Sequence, residues 1–79
     1  MSELVAWSVE IDSMTCVVFA TTKPKARWLA VSAYWEAGYG RKRMWPRPVA
    51  WREPRFDKSA LNGGEIGRAY TREYVETYP

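Results

Sequence analysis

The sequence predicts an α+β domain: a small antiparallel sheet in β-β-α-β order, with one helix packed across it and a C-terminal helix or strand. Three observations carry that prediction. Residues 4–11 alternate in polarity with a period of two, residues 16–20 form a β-branched run, and residues 22–38 carry a helix with both a start and a stop signal. At 79 residues there is room for one domain only, spanning 1–79, and 47% hydrophobic and 15% aromatic residues place the chain among folded proteins.

In the first segment Val5, Trp7, Val9 and Ile11 share one side of a strand, and Ala6, Ser8 and Glu10 share the other. Asp12-Ser13-Met14-Thr15 begins with turn-forming residues, and Cys16-Val17-Val18-Phe19-Ala20 follows as a second strand, so the two are expected to pair as a hairpin. Thr21 or Thr22 caps a helix that has Pro24 in its first turn and Gly38 at its end. Around that helix Ala26, Leu29, Ala30, Ala33 and Ala37 make a small-residue stripe suited to lying on a sheet. Trp28, Val31 and Trp35 fall opposite. Either the C-terminal segment covers them with Ile66, Tyr70 and Tyr74, or they form a dimer seam or a partner site.

Further on, Val49 and Trp51 alternate with Ala50 and Arg52, which indicates a third strand. Pro46, Pro48 and Pro54 make it an edge strand or one bounded by prolines. Asn62-Gly63-Gly64 is a turn signal, and Gly63-Gly64-Glu65-Ile66-Gly67 lacks the Lys and Ser/Thr of a phosphate loop. Ile66, Tyr70, Tyr74 and Tyr78 recur every fourth residue, which suits a helix, while Thr71, Val75 and the tyrosines also suit a strand; residues 65–78 stay open between the two.

The inventory closes several functional classes. There is no histidine, and Cys16 is the only cysteine, which excludes imidazole catalysis, Cys/His zinc sites and intramolecular disulfides. Cys16 reads as a small buried hydrophobe without an activating base. Asp57, Glu65, Glu73 and Glu76 supply carboxylates, but no spacing singles out a catalytic pair. We therefore expect no enzyme and no cofactor. Short apolar runs, the absence of a basic leader at Met1-Ser2-Glu3 and the lack of disulfide staples lead us to expect a cytoplasmic protein with no membrane partner.

Charge is concentrated. Net charge is +3, yet residues 23–56 alone hold nine bases against Glu36 and Glu53, while residues 1–22 hold three acids and no base. Within that segment Arg41, Lys42, Arg43, Arg47, Arg52 and Arg55 lie close to Trp45 and Trp51. Arginine and tryptophan dominate protein-protein hot spots, where guanidinium groups meet carboxylates in paired hydrogen bonds; the same residues could neutralise phosphates and stack on unpaired bases. The candidate partner-binding set is Arg41, Lys42, Arg43, Trp45, Arg47, Arg52 and Arg55. It would meet an acidic protein surface or nucleic acid, unless these residues form only a solvated edge with inward tryptophans.

The hairpin, the Thr22-Lys23-Pro24-Lys25-Ala26-Arg27-Trp28-Leu29-Ala30 helix start and the closing Arg52-Glu53-Pro54-Arg55-Phe56-Asp57 together resemble small proteins encoded by phages and prophages. The resemblance spans roughly residues 4–57; the tyrosine-rich tail departs from it. It implies a non-enzymatic inhibitor of host machinery, anti-CRISPR-like, that docks on a nucleic-acid-processing complex such as a CRISPR effector and obstructs its access to nucleic acid. Many such inhibitors are acidic, whereas this chain is basic, so DNA mimicry does not fit. Direct binding of single-stranded nucleic acid or DNA, and self-association of a monomer or weak homodimer in a structural role, are the alternatives.

Overall fold

The computed structural model describes residues 3–40, 45–62 and 67–78. It is an α+β arrangement in which β1 (Val5–Ile11) and β2 (Met14–Ala20) form the centre of a four-stranded antiparallel sheet. Strand β3 (Val49–Arg52) pairs with β1 on one side, and β4 (Tyr70–Thr71) pairs with β2 on the other, giving the order β3-β1-β2-β4. Helix α1 (Lys23–Glu36) lies on one face. A 3-10 turn (Pro54–Phe56) and the short helix α2 (Arg72–Thr77) lie on the other.

The hairpin turn is tighter than the sequence suggests. Ile11 pairs directly with Met14, so Met14 and Thr15 belong to β2 and only Asp12 and Ser13 turn, both at positive φ (47° and 67°). Two left-handed residues are what a type I′ turn needs to match strand twist. Helix α1 starts as expected, with the Thr22 hydroxyl accepting from Lys25 N at 3.4 Å. It ends on Gly38 at φ +90°, where Gly38 N donates to Trp35 O and Tyr39 N to Tyr34 O, the double bond of a Schellman motif.

Both sheet faces are buried at the centre. Beneath α1, Val9, Ile11, Val18, Ala20 and Ala50 pack against Ala26, Ala30 and Val31. Val31 therefore belongs to the buried side of α1, because the helix is rotated toward Ala30 and Tyr34 relative to the alanine stripe alone. On the opposite face Ala6, Val17 and Phe19 are covered by Phe56, Leu61, Tyr70 and Val75. The tail supplies both candidate structures in succession: Tyr70–Thr71 pairs with β2, and the Thr71 hydroxyl then caps α2 by accepting from Tyr74 N.

That placement corrects one expectation. Tyr70 is on the face opposite α1, so it does not cover Trp28 and Trp35; Ile66 lies outside the described residues. The third strand also turns its side chains the other way from an inward-tryptophan edge. Ala50 faces α1, while Val49 and Trp51 stay exposed at 58% and 37%.

Candidate functional site

The surface that holds Trp45 of the candidate set starts on α1. Trp28 and Trp35 stand seven residues apart, two turns along one helix face, and Trp45 enters from the segment before β3. The Trp28 and Trp45 rings stack with centroids 6.2 Å apart and planes 11° from parallel. Trp35 meets both nearly at right angles, 86° to Trp28 and 74° to Trp45. Edge-to-face and offset stacking are the favoured arrangements of aromatic rings. Trp28 and Trp45 nevertheless remain 55% and 49% exposed. Trp35 Nε1 is buried and has no hydrogen-bond acceptor among the described residues.

Several cations lie near these tryptophans in sequence. Arg47 is exposed, sits at φ +52° between Pro46 and Pro48, and makes no ion pair among the described residues. A non-glycine residue in the left-handed region carries strain of about 1–3 kcal/mol, and the two rings beside it fix the chain on either side. Lys23, Lys25 and Arg27 on the first turns of α1 also lack ion pairs among the described residues, and that turn has no acid. Arg41, Lys42 and Arg43 lie outside the described residues.

Arg52 and Arg55 of the candidate set both have partners within the chain. Arg52 holds Asp57 with two hydrogen bonds, Nη1 to Oδ1 at 2.9 Å and Nη2 to Oδ2 at 2.8 Å, and also donates to Ala6 O. Its guanidinium lies 5.5 Å from the Trp7 ring centroid. Arg55 pairs with Glu53 at 3.4 Å and with Glu76 at 2.8 Å while covering the Phe56 ring. Both guanidinium groups are committed to this chain's own carboxylates. The cause is the turn at Pro54, which folds residues 52–57 back so that their acids and bases meet.

Two carboxylates organise that turn. Glu53 accepts from Ser8 Oγ at 2.9 Å and Trp51 Nε1 at 3.2 Å, and pairs with Arg55 and Arg72. Burial works to raise its pKa, but the bonds from Ser8 and Trp51 and the two guanidinium charges prevail and leave it below the ordinary value. Asp57 is lowered by the Arg52 hydrogen bonds, opposed by burial and assisted by Ala6 N, which donates to Oδ1 at 2.8 Å. Sequence reasoning missed this network. Its one signal was the alternation of charge along Arg52-Glu53-Pro54-Arg55-Phe56-Asp57.

A mainly apolar groove of about 250 Å³ runs between the C-terminal half of α1 and the β2–β4 edge, bordered by Ala33, Ala37, Tyr34, Tyr39, Met14 and Cys16. Burial pushes the Cys16 thiol up to about 11, so the thiolate is scarce at neutral pH and the groove holds no activated nucleophile. Among the described residues no three His, Cys, Asp or Glu side chains converge as a metal site would require. No helix among them is long and apolar enough to cross a membrane.

No family model matches the chain, and neither a curated protein nor a solved structure is similar to it.

The tryptophan surface offers flat, partly exposed π area, and no carboxylate occurs between Glu36 and Glu53 in the sequence.

Proposed function

We propose that this chain is a non-enzymatic docking module that engages an acidic face of a larger protein assembly through Trp28, Trp45 and Arg47, with Arg41, Lys42 and Arg43 extending the cationic contact. It acts by obstruction. Its target is a nucleic-acid-processing complex of the host cytoplasm, in the manner of the anti-CRISPR-like inhibitors that the sequence resembles. The observation that supports this most is the stacked Trp28–Trp45 pair, half exposed, with Arg47 two residues from Trp45 in the sequence, left-handed and without a carboxylate partner among the described residues. Large apolar area together with a guanidinium unpaired among the described residues is the composition of an interface hot spot, where truncating one anchor costs about 2 kcal/mol or more.

The test is affinity capture from a bacterial lysate, with and without nuclease, comparing the wild type with Trp45→Ala and Arg47→Glu. A specific, nuclease-resistant complex that both variants lose, with unchanged circular dichroism, supports the reading. Capture of the same complex by both variants rejects it. The second reading, direct binding of single-stranded nucleic acid, draws on the nearly parallel Trp28 and Trp45 faces as a stacking surface. It predicts a nuclease-sensitive complex and an oligonucleotide affinity that falls steeply with salt.

A further inference from the structure

We infer that the outer edge of β3 is a self-pairing surface whose occupant is a second copy of this chain, joined antiparallel across a two-fold axis at Trp51. Backbone parity leads to this edge. A two-residue hairpin turn makes Ile11 and Met14 a hydrogen-bonded pair, and backbone groups alternate sides along a strand. Val5, Trp7, Val9 and Ile11 therefore direct their N–H and C=O toward β2, and Ala6, Ser8 and Glu10 direct theirs toward β3. The bond from Glu53 N to Ala6 O at 3.1 Å has the same parity. Trp51 and Val49, opposite Ser8 and Glu10, thus use their backbone groups on β1. Ala50 and Arg52 point theirs outward, and among the described residues nothing bonds them.

This edge is short and bounded. Pro48 and Pro54 occupy the next outward positions on either side and have no N–H to offer, so pairing cannot propagate along it. What remains is two donors and two acceptors. One antiparallel register, Ala50 opposite Arg52 of the second copy, uses all of them on both copies and forms four hydrogen bonds. An isologous contact of this kind closes after two subunits, joining two four-stranded sheets into one of eight.

The side chains agree with the register. It sets Trp51 directly opposite Trp51 of the second copy in a non-hydrogen-bonded pair, the closer of the two antiparallel spacings, with Cα atoms about 4.5 Å apart. Trp51 and Val49 are exposed on the same face, and Val49 falls diagonal to Trp51 of the second copy. Both apolar side chains gain a cover that the monomer does not supply. The proposal concerns a surface separate from the Trp28/Trp45 patch and stands whether or not that patch docks a partner.

Sedimentation across a concentration series tests it. The wild type should double its mass as concentration rises, and Trp51→Lys, which sets two ammonium groups face to face, should stay monomeric with an unchanged far-ultraviolet spectrum. Trp45→Ala should still dimerise. Register is read by cross-linking in a Cys16→Ala background. Trp51→Cys should give an intermolecular disulfide on mild oxidation, because a Cα separation of about 4.5 Å suits the bond. Val49→Cys should not, since its counterpart is four residues out of step, about 13 Å away. A wild type that is monomeric at every concentration, a dimer lost in Trp45→Ala but kept in Trp51→Lys, or equal cross-linking at both positions would overturn the inference. If Trp51→Lys fails to fold, the cross-linking pair decides alone.

Discussion

At the scale of single residues, Asp57 joins elements that are far apart in sequence. Its carboxylate takes Ala6 N from the start of β1 and both outer nitrogens of Arg52 from the end of β3, so it closes the ladder where the two strands diverge. Its pKa is depressed in the folded state, so the stability it contributes is complete above the unfolded value near ~4 and is lost as pH falls through the lower folded value. Glu53, also depressed, acts in the same direction. Urea midpoints measured from pH 7 downward should therefore fall in the acid range, below about pH 4. Asp57→Asn should start lower at pH 7 and show a shallower acid slope; an identical slope would remove Asp57 from the account. The fall should be modest, since Arg52 and Asp57 are both partly exposed and such pairs contribute little individually.

At the scale of elements, the β1–β2 hairpin carries its strain in two adjacent residues. Asp12 and Ser13 both hold positive φ, which suits Asn-Gly or Asp-Gly far better than Asp-Ser. Ser13→Gly should stabilise the protein by about 0.5–1 kcal/mol, the left-handed penalty less the extra entropy of glycine, and the midpoint of thermal or chemical unfolding measures it. A loss of stability would mean that the hydroxyl matters more than the backbone. The hairpin was legible because Val5, Trp7, Val9 and Ile11 alternate cleanly. Its turn was read two residues too long because nothing local distinguishes Met14 and Thr15 from loop. For α1 the caps at Thr22 and Gly38 were legible for the opposite reason, since each acts within one turn. The register of α1 on the sheet was not, and Val31 was assigned to the wrong side.

At the scale of the whole molecule, stability comes from two thin apolar layers sharing one sheet. The lower layer rests on Phe56, which brings the 3-10 turn onto Ala6 and Val17, with Phe19 meeting Tyr70 edge-on at 6.2 Å. Phe56→Ala should cost about 3–5 kcal/mol. A chain of this size has on the order of 4–12 kcal/mol in total, so the variant should be largely unfolded at 37 °C and its melting transition greatly lowered. A melting temperature within a few degrees of wild type would show that the lower layer is dispensable and that the α1 face alone sustains the fold.

The sequence by itself determined the α+β class, the hairpin, the limits of α1, a third strand bounded by prolines and the concentration of positive charge between residues 23 and 56. Each depends on neighbours within a few positions, where periodicity, capping and proline chemistry act. The tertiary structure alone decided which charges are free. Arg52 and Arg55 are equivalent to Arg47 in composition, but the turn at Pro54 delivers Asp57 and Glu53 to them, and α2 brings Glu76, whereas the described residues bring no carboxylate to Arg47. It also decided that Trp45 joins Trp28 and Trp35, and that Tyr70 and Val75 go to the far face of the sheet while Ala69 packs on the α1 side. Ion pairs and aromatic clusters depend on distance in space, and local patterning contains no record of which distant segment will arrive.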